Sequence, residues 1–371
     1  MKWLNDYRMR VVLIGFVAMF LSGVQNANAD FTFGESTNLG IVVNGQFDEM
    51  NPSISADGLE LYFMSRRPGG FSNFDIWVTK RASLSDSWGE PVNLGPTVNS
   101  SKSNWEPCIS ADGLELYFSA NRSGNLGGVD LWVAVRPTKK DPWGNPVNLG
   151  PTVNSATNDG CPCISFDGLE LYFRSLRSGG YGYHDLYVSK RQTKDEPWCN
   201  PENLGSIVNS MEYEGHPSIS ADGLVLFFNS DRFNESRGWD RDIFLTRRET
   251  KDSAWGEPVI LGPSINTIYY EDSPSISADG RTLYFSEPED KIFHPGGHGG
   301  ADLYQAAVTP IVDLNGDGIV DSADMCIKVD NWGTDKPLCD IGPMPWGDGI
   351  VDVEDLKILA EHLFEEIPPA E

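Results

Sequence analysis

The feature that most constrains this chain is an internal repeat. The stretch from Asn51 to Ser100 opens Asn51-Pro52-Ser53-Ile54-Ser55-Ala56-Asp57-Gly58, and its Asp-Gly pair returns at Asp112-Gly113, Asp167-Gly168, Asp222-Gly223 and Asp279-Gly280, at intervals of 55, 55, 55 and 57 residues. A period of that length means that one supersecondary unit is built again and again. Within each unit, a short strand A at Ser53-Ile54-Ser55 leads through the Asp-Gly hairpin into strand B. Strand B alternates Leu59, Leu61 and Phe63 with Glu60 and Tyr62, the period of two expected of a sheet. Strand C is Asp75-Ile76-Trp77-Val78 and strand D is Val92-Asn93-Leu94-Gly95. Four strands per unit with apolar residues on both faces describe the blade of a β-propeller.

Strand-D motifs occur at Asn38, Asn93, Asn148, Asn203 and Ile260, whereas the fifth unit runs through Asp302-Leu303-Tyr304 and ends without one. The N-terminal Asn38-Leu39-Gly40 should therefore complete the fifth blade and remove the open sheet edges. The fold class expected is an all-β five-bladed propeller with a small α-helical module behind it. The motifs Pro-Ser-Ile-Ser-Ala-Asp-Gly, Leu-Tyr-Phe and Asp-Ile-Trp, over about residues 31 to 309, resemble the WD40-like PD40 repeats of TolB-type propellers. That resemblance implies a fold; propellers host binding, scaffolding and catalysis alike.

The first 29 residues read differently. Lys2, Arg8 and Arg10 precede the apolar run Val11 to Val24 and the small-residue pattern Ala27-Asn28-Ala29, which is the layout of a signal peptide cleaved before Asp30. The chain is expected to be exported, to the extracellular space or the cell envelope and periplasm. After cleavage no apolar run is long enough to span a bilayer. The formal charge of −26 argues against nucleic acid and anionic lipid as partners and suits cations. Export permits disulfides among Cys108, Cys161, Cys163, Cys199, Cys326 and Cys339. Cys326 with Cys339 is the pairing expected first, a bridge involving Cys108 and Cys163 is a second, and a Cys161/Cys163/His216 metal site is the alternative use of the inner-strand thiols.

In a four-stranded blade, the loops entering strand A and those joining B to C lie at one end of the ring. Three positions before the strand-A proline stand Glu49, Asn104, Asp159, Glu214 and Glu271, near the channel mouth. Around them are Trp105, Tyr213, His216, Tyr269, Tyr270 and Asp272, and the B-to-C loops add Phe71, Phe74, Tyr181, Tyr183, His184, Trp239 and Asp240. Exposed aromatics with carboxylates suit a carbohydrate site, the carboxylates serving as acceptors or as an acid/base pair. The structural alternative is that the acid caps backbone amides at the start of each inner strand, and its recurrence in four of five units favours that role. Arg67, Arg122, Arg177 and Arg232 follow strand B by four residues and are expected to pair with the strand-C aspartates Asp75, Asp130, Asp185 and Asp242. The fifth unit breaks the pattern: Glu289 replaces the arginine, and its longer B-to-C loop carries His294 and His298, either a metal pair or a plain extension.

After Pro310 the composition shifts. Asp313, Asn315, Asp317, Asp321 and Asp324 place oxygens at loop positions 1, 3, 5, 9 and 12, Gly318 supplies the turn at position 6, and Ile319 offers its carbonyl at 7. That is EF-hand spacing for Ca2+. Met325, Val329 and Trp332 then read as a short helix. A second, incomplete loop has Asp348, Ile350, Asp352 and Asp355 at positions 5, 7, 9 and 12, with Met344 and Trp346 where the first ligands would stand; Leu356, Leu359, Leu363 and Phe364 form a helical stripe after it. Two such halves over residues 313 to 366 resemble the type I dockerin family. The resemblance implies docking onto a cohesin-type domain through Ser322-Ala323 and Val353-Glu354, in a polysaccharide-degradation context.

The domain plan is thus a signal peptide at 1–29, a propeller at 30–310 and a dockerin-like calcium module at 311–371. The leading functional expectation is an exported, non-catalytic binding or scaffold propeller for a polysaccharide or envelope protein, with His216, Trp239, Tyr270, Glu289, His294 and His298 as ligand-binding residues. The alternatives are a glycoside hydrolase using Glu49, Asp159, Glu214 or Glu271, and a purely structural adaptor.

Overall fold

The computed structural model describes residues 31–232, 241–287 and 297–310, and beyond them 314, 320, 322–333, 339 and 350–363. Trp239, Asp240, Glu289, His294, Asp313, Asn315, Asp317, Ile319, Asp321 and Asp348 lie outside the described residues, as do the first 30. Five antiparallel sheets follow one another along the chain. Blade 1 consists of Glu49–Ile54, Glu60–Ser65, Asp75–Lys80 and Val92–Asn93, and each later unit repeats that plan. Strand A is longer than its motif suggests, because it begins at the acidic position three residues before the proline.

Each recurrent residue has an identifiable task. In the Asp-Gly hairpin, Ser55 Oγ donates to Asp57 Oδ1 at 2.6 Å, Asp57 accepts from Leu59 N, and Ser55 Oγ accepts from Glu60 N. Gly58 sits at φ +69°, the left-handed region where a Cβ is disfavoured. After strand D, Asn99 grips strand C from both sides: its Oδ1 accepts from Ile76 N at 2.8 Å and its Nδ2 donates to Ile76 O at 3.0 Å. Strand B is the spine, with Leu61, Tyr62 and Phe63 and their counterparts buried between blades.

The chain's two ends close the ring as expected. Thr37–Asn38 pairs with the last strand, Asp302–Pro310, and Phe31–Phe33 adds a further pairing to it. The side-chain grammar is reproduced across 259 residues: Asn44 Nδ2 donates to Leu303 O at 2.9 Å and its Oδ1 accepts from Leu303 N at 2.9 Å. Inside, one residue of each strand A accepts the amide of an isoleucine in the next blade, and the sequence of bonds is circular: Ile109 to Ser53, Ile164 to Cys108, Ile219 to Cys163, Ile276 to Ser218, and Ile54 back to Ser275.

Two expectations are corrected. The arginines after strand B do not pair with the strand-C aspartates. Asp75 and Asp185 are instead taken by loop amides and strand-D asparagines, for example Phe71 N and Asn93 Nδ2 on Asp75. Arg67, Arg177 and Arg232 reach the strand-A acids Glu49, Asp159 and Glu214 at 3.0, 2.8 and 3.2 Å, because the chain leaves strand B beside the start of strand A in the same blade. No disulfide joins any of the six cysteines. Cys339 packs with Leu314 and Val351 while Cys326 is exposed on its helix, so the two face different surroundings.

In the C-terminal segment the helices Ser322–Asp330 and Val353–Glu361 pack together. Val329 and Trp332 are exposed rather than on the buried stripe, which instead contains Asp324 and Lys328. Lys328 is fully buried because Cys339 O accepts from its Nζ at 2.6 Å and Asp355 lies 3.9 Å away.

If the Asn44 clamp closes the ring, Asn44→Ala should lower unfolding free energy by about 2–3 kcal/mol, since a buried strand loses its side-chain partner on both N–H and C=O. Denaturant unfolding checks this; a loss of under about 0.5 kcal/mol would mean that closure lies elsewhere.

Candidate functional site

The residue immediately before each strand-A proline is Asn51, Glu106, Cys161, His216 or Ser273, and all five occupy the left-handed region at φ 46° to 57°. At each the A–B register slips, for instance between Gly160 and Cys163. Such a bulge leaves a residue out of the ladder and re-aims its side chain. This position therefore behaves oppositely to the rest of the repeat: its backbone is the same five times and its side chain never recurs. A non-glycine residue held there carries strain of order 1–3 kcal/mol, which is characteristic of functional positions.

Three of the five side chains meet. Glu106, Cys161 and His216 bring their ligand atoms within 4.8 Å of one another, the one such trio of metal-ligating types among the described residues. Glu106 Oε1 accepts from Arg174 Nη2 at 2.9 Å and lies 3.7 Å from His216 Nε2. Its Oε2 accepts from Ser119 Oγ at 2.5 Å and from Cys161 N at 2.7 Å. On the far side of the imidazole, His216 Nδ1 stands 2.6 Å from Asp272 Oδ1. Asp272 is tied in turn to Arg241, whose guanidinium also grips Asp231 and lies over the Tyr213 ring at 4.3 Å.

Two glycines make the room. A Cβ on Gly160 would come within 2.8 Å of Glu106 Oε2 and 3.2 Å of Arg174 Nε, and one on Gly215 would strike the Tyr213 hydroxyl at 2.3 Å. Strand positions that hold Met50, Trp105 and Asp272 in other units are emptied here so that Arg174 and Tyr213 can fit.

The charges are mutually compensated. Burial raises the Glu106 carboxyl, but Arg174 and His216 outweigh it and hold the group well below the usual range. Burial likewise opposes ionisation of Asp272 and is overcome by His216 and Arg241. For His216, burial disfavours the cation, while Asp272 and neighbouring groups hold its pKa well above the ordinary value. Nearby His184 is pushed down to about 4 by burial and by Arg174, and burial pushes Tyr213 up to about 12. Both carboxylates of the cluster are thus anionic at neutral pH, so neither is a ready general acid.

The other sequence candidates separate into two groups. Glu49, Asp159 and Glu214 are buried and occupied: Glu49 and Asp159 accept from Ser65 and Ser175 at 2.7 and 2.6 Å as well as from their arginines, and Glu214 from Ser230 and Arg232. Each also accepts from a backbone amide four residues earlier in the chain, that of Gly45, Ser155 and Ser210 respectively. Glu271 is also buried, accepting from Thr267 Oγ1 at 2.5 Å. By contrast Phe71, Tyr181, Tyr183 and Tyr270 are exposed on the same end of the ring, whereas His184 and Tyr213 are buried against each other. His298 donates its backbone N–H to Asp302, a contact of the kind made also by Phe71, Leu126 and Tyr181 in the first three blades.

Of the cluster, His216 and Cys161 were singled out from sequence and Glu106, Arg174 and Arg241 were not. The Cys161/Cys163/His216 combination is corrected: the bulge at 161–162 sends Cys161 into the cluster, and Cys163 toward Cys108 and Ile219 N instead. Varying side chains at the pre-proline slot were the available signal.

No family model matches the chain, and no curated protein matches it. Among solved structures, the catalytic domain of a GH62 α-L-arabinofuranosidase from Coprinopsis cinerea aligns with a TM-score of 0.50 at 10% identity, over 76% of this chain and 98% of that one. A family 117 glycoside hydrolase from Zobellia galactanivorans aligns at 0.49 and 13%, over 76% and 92%. TolB from Acinetobacter baumannii aligns at 0.44 and 14%, over 75% of this chain and 63% of that one. At 10% identity the first of these likenesses shows the propeller fold alone.

His216 should stay protonated well above pH 6.5, because its folded pKa is raised. The sign follows: its contribution to stability is full below the unfolded value and is lost as pH rises through the folded one. NMR titration of the imidazole checks this. Asp272→Asn should move the titration down, and a native His216 titrating at its ordinary value would contradict the ion-pair assignment.

Proposed function

We propose that this chain is an exported binding propeller that recognises a polysaccharide through its loop-rich end and is held in place by a calcium-dependent, dockerin-like C-terminal module. The observation that carries the reading is the set of exposed rings on the loops at that end: Phe71, Tyr181, Tyr183 and Tyr270 are 48%, 52%, 66% and 39% exposed. Aromatic faces stack on the apolar faces of sugar rings and bury area at little conformational cost. A non-catalytic role is supported by the use of the recurrent carboxylates as arginine and serine partners; the ionised state of Glu106 and Asp272 argues against either as a general acid.

The described part of the C-terminal segment fits a pair of calcium loops. Asp324 and Asp355, which stand at loop position 12 in each half, are buried at the starts of their helices. Asp324 accepts from Leu314 N at 2.7 Å, and Asp355 from Asp352 N at 2.6 Å in a reciprocal cap with Asp352. Each carboxylate thus draws its loop toward the helix that follows. Asp313, Asn315, Asp317, Ile319, Asp321 and Asp324 would hold the first ion, and Ile350, Asp352 and Asp355 would contribute to the second with Asp348. Bound Ca2+ would fix the loops and present Ser322, Ala323, Val353 and Glu354 to a cohesin-type partner; Ser322, Ala323 and Val353 are exposed.

Affinity measurements of the full chain on plant and algal polysaccharides should find a glycan that is bound and not cleaved. The double change Tyr181→Ala and Tyr183→Ala should weaken binding at least roughly tenfold, about 1.4 kcal/mol. Glycan turnover lost on Glu271→Gln would overturn the non-catalytic reading in favour of a hydrolase, and capture of a protein with no glycan bound would favour the adaptor. Separately, calorimetric titration with Ca2+ should show at least one site that Asp313→Ala weakens; no heat on addition would remove the calcium module.

A further inference from the structure

We propose that Glu106, Cys161 and His216 at the channel mouth form a site for one divalent transition-metal ion of the zinc class. The site is separate from the glycan reading and from the calcium loops, whose donors are all oxygen.

The donor set points to the metal. A thiolate, an imidazole and a carboxylate are the ligand types that zinc takes, whereas calcium and magnesium take oxygens. Three protein ligands leave a fourth tetrahedral position open, the arrangement of sites that accept an exchangeable ligand rather than of closed structural sites. With metal–ligand bonds of about 2.0–2.3 Å, tetrahedral ligand atoms stand roughly 3.3–3.7 Å apart. His216 Nε2 and Glu106 Oε1 are already 3.7 Å apart, and all three ligand atoms lie within 4.8 Å, so closing on an ion requires shifts of about an ångström.

The surroundings support the same assignment. Asp272 holds His216 Nδ1 at 2.6 Å and so leaves Nε2 facing Glu106. A carboxylate behind a ligating imidazole fixes its tautomer and raises its basicity, and losing that partner commonly weakens metal binding 10–100-fold. Cys161 is 3% exposed and reaches this place only because the bulge turns it out of the ladder. Formal charge balances in both states: without an ion, protonated His216 with Arg174 and Arg241 offsets Glu106, Asp272 and Asp231, and a divalent ion replaces the protons that the imidazole and the Cys161 thiol give up. Gly160 keeps the space beside Glu106 clear.

Cobalt(II) is the probe, because a thiolate bound to it gives a near-ultraviolet charge-transfer band. Titration of the full chain, stripped with a chelator and reduced, should develop that band to about one equivalent, and Zn2+ should abolish it by displacement. Cys161→Ser should lose the band. Glu106→Gln and Asp272→Asn should keep the fold, by circular dichroism, and weaken cobalt binding at least roughly tenfold. The exposed thiols Cys199 and Cys326 are the competing source, so the double change Cys199→Ser and Cys326→Ser must retain the band. Absence of the band in the native chain, its survival in Cys161→Ser, or its loss with the two exposed cysteines would each overturn the proposal. If Cys161→Ser does not fold, the native chain and the Cys199/Cys326 double variant decide the matter alone.

Discussion

The structure depends on a circle of five hydrogen bonds. Each inner strand offers a serine hydroxyl or cysteine sulfur to the isoleucine amide of the next, and the last bond, Ile54 N to Ser275 Oγ at 3.3 Å, returns to the first blade. A single bond of this kind contributes only about 1 kcal/mol net. A closed circle differs from five separate bonds because no blade can leave without opening two seams. The outer closure is the same constraint met at the rim, where the N-terminal segment supplies the asparagine clamp that the fifth unit lacks. At the turn-side rim Arg81 stacks on Trp88 at 4.3 Å and reaches the Tyr284 hydroxyl across the fifth seam, as Arg136 does with Trp143 and Tyr62 across the first.

With the ring held that rigidly, each strand A can carry a bulge and a left-handed residue at its mouth end. The repeat therefore provides five backbone-equivalent pedestals aimed at one channel, while the acids two residues earlier on strand A are consumed by the arginine and serine contacts that anchor it. Function follows from what the scaffold leaves unassigned: the five pre-proline side chains, the strand-B residues that face them, and the aromatic rings on the loops. Glu106, Cys161 and His216 come from three successive blades, 55 residues apart, so the packing of neighbouring inner strands brings them together.

The blade count, the hairpins and the N-terminal closure were legible because they rest on local, repeated chemistry. An Asp-Gly turn and an alternating strand mean the same thing at every copy. The arginine partners were not legible: Asp75 and Glu49 are both acids near the end of strand B, and only register shows that the aspartate is filled by Phe71 N and Asn93 while the glutamate is open to Arg67. Cys161 and Cys163 look like one face of a strand by parity, and the bulge between them reverses that inference. Glu106 was visible as a non-repeating residue, yet period-matching directs attention to what recurs, here Glu49, Asp159 and Glu214. Comparing the slot before each proline would have singled out the site.

The central claim is that the recurring residues are scaffold and the pre-proline ring is the site. Its most direct test is the unfolding free energy of a chain carrying Glu106→Asn, Cys161→Asn and His216→Asn together, since asparagine tolerates the left-handed backbone and already stands at Asn51. The account predicts a propeller that still unfolds cooperatively, with a loss of no more than about 3–5 kcal/mol because Arg174 and Asp272 lose buried partners. A triple variant that fails to fold, or that loses clearly more than about 5 kcal/mol, would show that the cluster is part of the framework and would contradict the account.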